Sequence, residues 1–328
     1  MLKLRPKLFD ESAKSHASKS LIIQIAVFIA VFLVIYVLEG IVAAIVSSKP
    51  MDEALAAKGY LDGTKDLTFS ESMDIAEEVS AKPGVMIPTL FATVFGTIVS
   101  MLYCRYFEMR RVSSMGVVKR RAGVNYVSGL FIGALLMTSI TMLTVVTGAN
   151  SLSRAHDVDY TLILLYLGGF LVQGMSEEFI FRGYLMTTVG GTHSTYLAIG
   201  ISAVLFGAAH SANAGLSVLA MFNLILFGVF AAVYMIYFED IWGVCGIHSI
   251  WNFSQGNLYG ISVSGNSQTE SILKTSSKTS HDFLTGGKFG IEGSVFTTLV
   301  LLAATGIMLY LQWQKEKKAA AESTPENK

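Results

Sequence analysis

The chain has 328 residues, 52% of them hydrophobic and only 15% charged, with a formal net charge of zero and a positive mean hydropathy. A soluble domain carries about 25% charged residues, so the composition points away from a soluble enzyme and toward the membrane class. The even charge balance argues against nucleic acid as a partner. Cys104 and Cys245 sit in or beside apolar runs and read as core filling, not as a disulfide framework.

Taken in chain order, a basic stretch with Lys3, Arg5, Lys7, Lys14 and Lys19 leads into an apolar run over 21–46. That run is longer than the core of a signal peptide and reads as a retained first transmembrane helix, with Glu39 near its outer end. An acidic loop, 47–83, follows, and its patterning suggests short surface helices around 51–58 and 71–82. The second span is 85–104. A basic loop then carries Arg105, Arg110, Arg111, Lys119, Arg120 and Arg121. Further spans are expected at 125–147, 160–189, 196–210, 216–238, 241–253 and 294–313, with a polar loop over 254–293.

The expected architecture is therefore all-α: a polytopic membrane protein of about eight transmembrane helices around a central catalytic cavity. Lys and Arg concentrate in cytoplasmic loops. That rule places residues 1–20, the basic loop and the tail 314–328 in the cytosol of a multi-pass cell-membrane protein, and the loops 47–83 and 254–293 outside. The end of the tail reads as disordered. The membrane domain covers 21–313, with a motif-bearing core at 160–257.

The chemistry concentrates in three polar pairs inside apolar sequence. The fourth span holds Met175-Ser176-Glu177-Glu178-Phe179-Ile180-Phe181-Arg182, the fifth Phe206 and His210, and the seventh His248 and Asn252. Ionisable residues at membrane depth are costly and usually have both a partner and a function. Glu178 and Arg182 are i, i+4 and can pair, whereas Glu177 points about 100° away. In a hairpin turning near 190–195, Glu177 and His210 lie level, roughly 24 Å of helix from the turn. His248 lies only about 10 Å into a helix that begins near Asp240, so the site is expected a little below the cytosolic face.

A carboxylate and two imidazoles in a dry cavity have two hydrolytic uses. They can hold a divalent metal through Glu177, His210 and His248, with a water in the open position. Alternatively, Glu177 and a histidine activate water directly while Asn252 donates to the oxyanion. Zinc-metalloprotease, rhomboid-like serine, presenilin-like aspartyl, P-loop and dinucleotide motifs are all missing from the sequence.

The order Glu177-Glu178-x-x-x-Arg182, Phe206-x-x-x-His210, His248-x-x-x-Asn252 resembles the three motifs of the CAAX-prenyl-protease/bacteriocin-processing (CPBP, Abi, Rce1-like) intramembrane proteases. The resemblance implies that Glu177 activates water, that His210, His248 and Asn252 complete the catalytic set, and that Glu178, Arg182 and Phe206 support it. It leaves open whether zinc, another divalent metal or no metal is used. It also implies a bacterial protein acting on a peptide or membrane-protein substrate, as bacteria generally lack prenylated proteins. Two other classes compete with the endopeptidase: a non-catalytic membrane immunity or scaffold protein of the same fold, and a proton-coupled transporter using Glu177 and the histidines as a relay.

Overall fold

The computed structural model describes residues 5–61, 65–267 and 269–323. Lys3 and the expected disordered end at 324–328 lie outside the described residues. The fold begins with α1 (Lys7–Ser12) and α2 (Leu21–Ala57), followed by α3 (Phe69–Ser80), α4 (Pro83–Ala92), α5 (Val94–Tyr106) and α6 (Ala122–Val146). Strand β1 (Asn150–Arg154) leads to α7 (Tyr160–Glu178), which continues through a π-helical stretch, Phe179–Met186, into α8 (Thr187–Thr192). Then come α9 (Thr195–Ala209), α10 (Val218–Phe238), α11 (Trp242–Phe253), β2 (Leu273–Ser277), the short α12 (Asp282–Thr285) and α13 (Val295–Ser323).

Among the described residues, six helical stretches are long and apolar enough to cross a membrane: Leu21–Ala57, Pro83–Tyr106, Ala122–Val146, Tyr160–Thr192, Val218–Phe238 and Val295–Ala319. The chain is an all-α polytopic membrane protein. The expected fifth and seventh spans are helices too, but at 15 residues for α9 and 12 for α11 they fall short of the ~20 that cross a hydrocarbon core. The expected surface helix at 51–58 is the last part of α2, which runs unbroken through Pro50. The helix expected at 71–82 is α3, which begins earlier because Thr68 and Glu71 close a capping box at its start.

Small residues set how closely the helices approach, as membrane packing favours. Gly129 and Gly133 of α6 meet the backbone of α11 at Gly243 and Ile247, and Gly246 of α11 meets the α6 backbone in return. Gly174 brings α7 against Ser249 of α11, where a Cβ would lie 2.5 Å from the Ser249 nitrogen. That contact sets the carboxylates of α7 against His248. α2 runs antiparallel to the α7–α8 stretch, and Gln24 Nε2 donates to Thr192 Oγ1 at 2.9 Å to set their register.

Two segments that the charge rule places in the cytosol pack against the bundle. Phe9 is fully buried, with Gly190 leaving room for its ring, and the Lys7 backbone donates to Glu239 Oε1 at 2.8 Å. The basic loop folds under the bundle, where Arg110 pairs with Glu108 at 2.5 Å, both almost fully buried. The same loop underlies α11: Ile241 N donates to Gly116 O at 3.0 Å, and the Trp242 indole donates to Val118 O at 2.9 Å. Gly116 takes the left-handed conformation this turn requires. On the opposite side, β1 and β2 form an antiparallel ribbon with Asn150 facing Ser277 and Arg154 facing Leu273.

Candidate active site

Glu177 lies 17 residues into α7 from Tyr160, so its depth is set by helix length alone: about 25 Å from the start of the helix. Its Oε2 lies 3.7 Å from His248 Nε2 and 3.9 Å from His210 Nε2. That oxygen is buried without a hydrogen-bond partner. Its Oε1 accepts a short hydrogen bond from Gln173 Nε2, one turn earlier on the same helix.

Glu178 faces the other side of the same imidazole. His248 Nδ1 donates to Glu178 Oε1 at 2.7 Å, and Arg182 donates to that oxygen at 3.0 Å. Glu178 and Arg182 are fully buried. The Arg182 guanidinium also stacks over the Phe206 ring at 4.4 Å, a cation–π contact of the kind strengthened by desolvation. Phe206 and Phe227 pack their rings against His248, at 5.9 and 5.0 Å between centroids.

His210 closes the C-terminus of α9, with its Nδ1 on Phe206 O at 2.9 Å. A carbonyl can only accept, so His210 Nδ1 carries a proton and Nε2 is the ring nitrogen that faces Glu177. The Glu178 carboxylate orders His248 the same way. Glu177, Phe206, His210, His248 and Asn252 thus line one cavity, with Glu178 and Arg182 buried behind His248.

Residues 159–254 match the family described as Type II CAAX prenyl endopeptidase Rce1-like. The motif-bearing core is Rce1-like. No curated protein and no solved structure matches the chain. The Rce1-like family is a family of proteases.

Three features of this core bear on the expected chemistry. The Asn252 amide, expected to donate to an oxyanion, donates one N–H from Nδ2 to Gln173 Oε1 at 2.9 Å. Among the described residues, no group of three or more His, Cys, Asp or Glu side chains stands as a ligand set for a metal ion. The anchored Nδ1–H groups and free Nε2 lone pairs suit a metal ligand chemically. The 3.7 and 3.9 Å separations, however, exceed the roughly 3.3 Å between ligands about 2.0–2.1 Å from a tetrahedral ion.

The third concerns the cavity wall. A cavity of about 500 Å3 surrounds Glu177, His210 and His248, and its wall includes Met51, Val79, Ser80, Ser264, Asn266 and Glu292. These belong to the loops 47–83 and 254–293, at the opposite end of the bundle from the basic loop. The site was expected nearer the basic end because α11 was assumed to start at a membrane face. It starts deeper, on top of the folded 112–118 turn.

Sequence reasoning missed Gln173 as the residue aiming Glu177, although its i−4 position was visible. It also passed over Glu39 as a wall of the cavity; an ionisable group within an apolar span was the available signal.

Proposed function

We propose that the chain is an intramembrane endopeptidase that hydrolyses peptide bonds of a membrane-associated protein or peptide through water activated at Glu177. The observation that carries this reading is the convergence of Glu177 Oε2 with the Nε2 atoms of His210 and His248 inside one cavity. Three acceptors around one point suit a water, which donates one O–H to the carboxylate and the other to an imidazole lone pair.

Glu177 takes a proton from this water as the oxygen attacks the carbonyl carbon. The tetrahedral species collapses when that proton passes to the departing amide nitrogen, breaking the C–N bond and leaving an acid and an amine. Gln173 holds Glu177 in place and Asn252 holds Gln173, so the asparagine acts through positioning. Glu178 fixes the tautomer of His248, and Arg182 neutralises Glu178.

The test is cleavage in proteoliposomes together with a peptide survey of cells carrying either the intact protein or Glu177→Gln. Glu177→Gln, His210→Ala and His248→Ala are each expected to lower turnover per folded molecule by about 10²–10⁴-fold. Full activity in all three overturns the reading. Turnover that a chelator abolishes and zinc restores assigns an ion to the Glu177, His210 and His248 set.

A further inference from the structure

Glu39 is the unexplained charge in this cavity. It sits on α2 within an apolar helix and lines the same space as Glu177 and the two histidines. The Gln24–Thr192 hydrogen bond sets the register of the two antiparallel stretches. Counting 15 residues from each partner leads to Glu39 on α2 and to Glu177 on α7. The two carboxylates therefore stand at about the same level, on the wall of one cavity.

Among the described residues Glu39 makes no hydrogen bond and no ion pair, and no Lys or Arg lines the cavity. The nearest buried guanidinium, Arg182, is engaged with Glu178 and the Phe206 ring. The third carboxylate of the wall, Glu292, is already satisfied by Ser264 and Gln255. An unpaired carboxylate at membrane depth is costly unless something compensates it.

We propose that Glu39 is a specificity-determining residue that selects peptide segments carrying a basic side chain near the scissile bond. This rests on the endopeptidase reading but deepens it, assigning a lysine- or arginine-bearing apolar segment as the substrate class. The basic group lies against Glu39, and the apolar remainder meets Phe32, Ile35 and Tyr36 of the same helix.

The test measures binding apart from cleavage. Three fluorescent apolar 20-residue peptides, differing only in a central Lys, Leu or Glu, are titrated against the full-length Glu177→Gln protein in nanodiscs. The Lys peptide is expected to bind about tenfold or more tightly than the Leu peptide. Glu39→Gln in the same background is expected to erase that preference, and Glu39→Lys to transfer it to the Glu peptide. Equal binding of all three peptides, no binding of any, or a Lys preference that survives Glu39→Gln overturns the proposal. Melting of each variant within a few degrees of the parent shows that the fold is intact, and a Glu39→Asp variant that restores the Lys preference excludes a general packing effect. A Lys preference without cleavage of any peptide by the intact protein removes the protease reading and leaves the charge selection standing.

Discussion

Two carboxylate–guanidinium pairs lie buried in this bundle, and they are completed in opposite ways. Around Glu108 and Arg110, the guanidinium reaches Glu108, the Ser114 hydroxyl, the Cys104 sulfur and the Thr188 hydroxyl. Thr188 donates back to the Glu108 carboxylate at 2.9 Å. Around Glu178 and Arg182, the guanidinium makes one hydrogen bond, and Arg182 Nε, Arg182 Nη2 and Glu178 Oε2 have no partner.

A fully satisfied polar network rigidifies what it joins, whereas an unsatisfied one in a low-dielectric interior is expensive. The first pair fastens the loop after α5 to the π-helical stretch and α8. The second aims one imidazole into a cavity, and its incomplete bonding lies where the chemistry is proposed. The same residue types thus serve as a staple at one end of a helix and as a catalytic support at the other.

The sharpest way to break this comparison is to remove each cation in turn. Arg110→Met leaves Glu108 buried and unpaired, and is expected to cost about 3–5 kcal/mol of stability while the folded fraction keeps its turnover. Arg182→Met is expected to cost a similar amount but to lose turnover in the folded fraction as well, because Glu178 no longer holds His248. Thermal unfolding beside turnover per folded molecule reads both. Equal loss of specific activity in the two variants removes the distinction.

A smaller effect tests the positioning chain. Gln173→Ala frees one oxygen of Glu177 and the Asn252 amide, and a misplacement of about 1 Å can cost about 100-fold in rate. The loss is expected in kcat, with KM little changed, because Gln173 aims the base. A loss confined to KM would make Gln173 a substrate contact instead.

The smallest effect concerns α3, which forms part of the cavity wall. The Thr68 hydroxyl and backbone nitrogen donate to Glu71 and hold its carboxyl down at about 2, with the Tyr60 hydroxyl adding to the effect. A depressed folded-state value means the cap contributes fully above the ordinary carboxyl value of 4.5 and is lost as pH falls through about 2. Amide exchange over 69–72 is expected to be insensitive to removal of the cap only in strong acid. Thr68→Ala is expected to speed exchange there at neutral pH without altering turnover.

Much of the fold was legible because apolar length is a strong signal, and α2, α6, α10 and α13 follow it. The three site segments were legible because Glu177, His210 and His248 are costly where they stand. The helical angle between Glu177 and Glu178 correctly gave them different faces, but it could not show that one imidazole would bridge them, since His248 arrives from another helix. The loop over 105–121 looked solvated because it is basic. Its Arg110 is buried because Glu108, two residues earlier, supplies the countercharge. The contribution of 47–83 and 254–293 to the cavity wall had no periodic signature to read.

The widened helix between Glu178 and Thr187 has a consequence for how this protein can change. In the π-helical stretch Phe179–Met186, each turn holds more residues than an α-helical turn, and such segments recur at functional sites. Relaxing this stretch to α geometry with all its residues kept would turn each residue through the full 100° and swing everything beyond it around the helix axis. Thr188 would then leave Glu108 while Glu177 stayed with the histidines. Between its reactive end and its anchored end, this helix is constrained in winding as much as in residue identity.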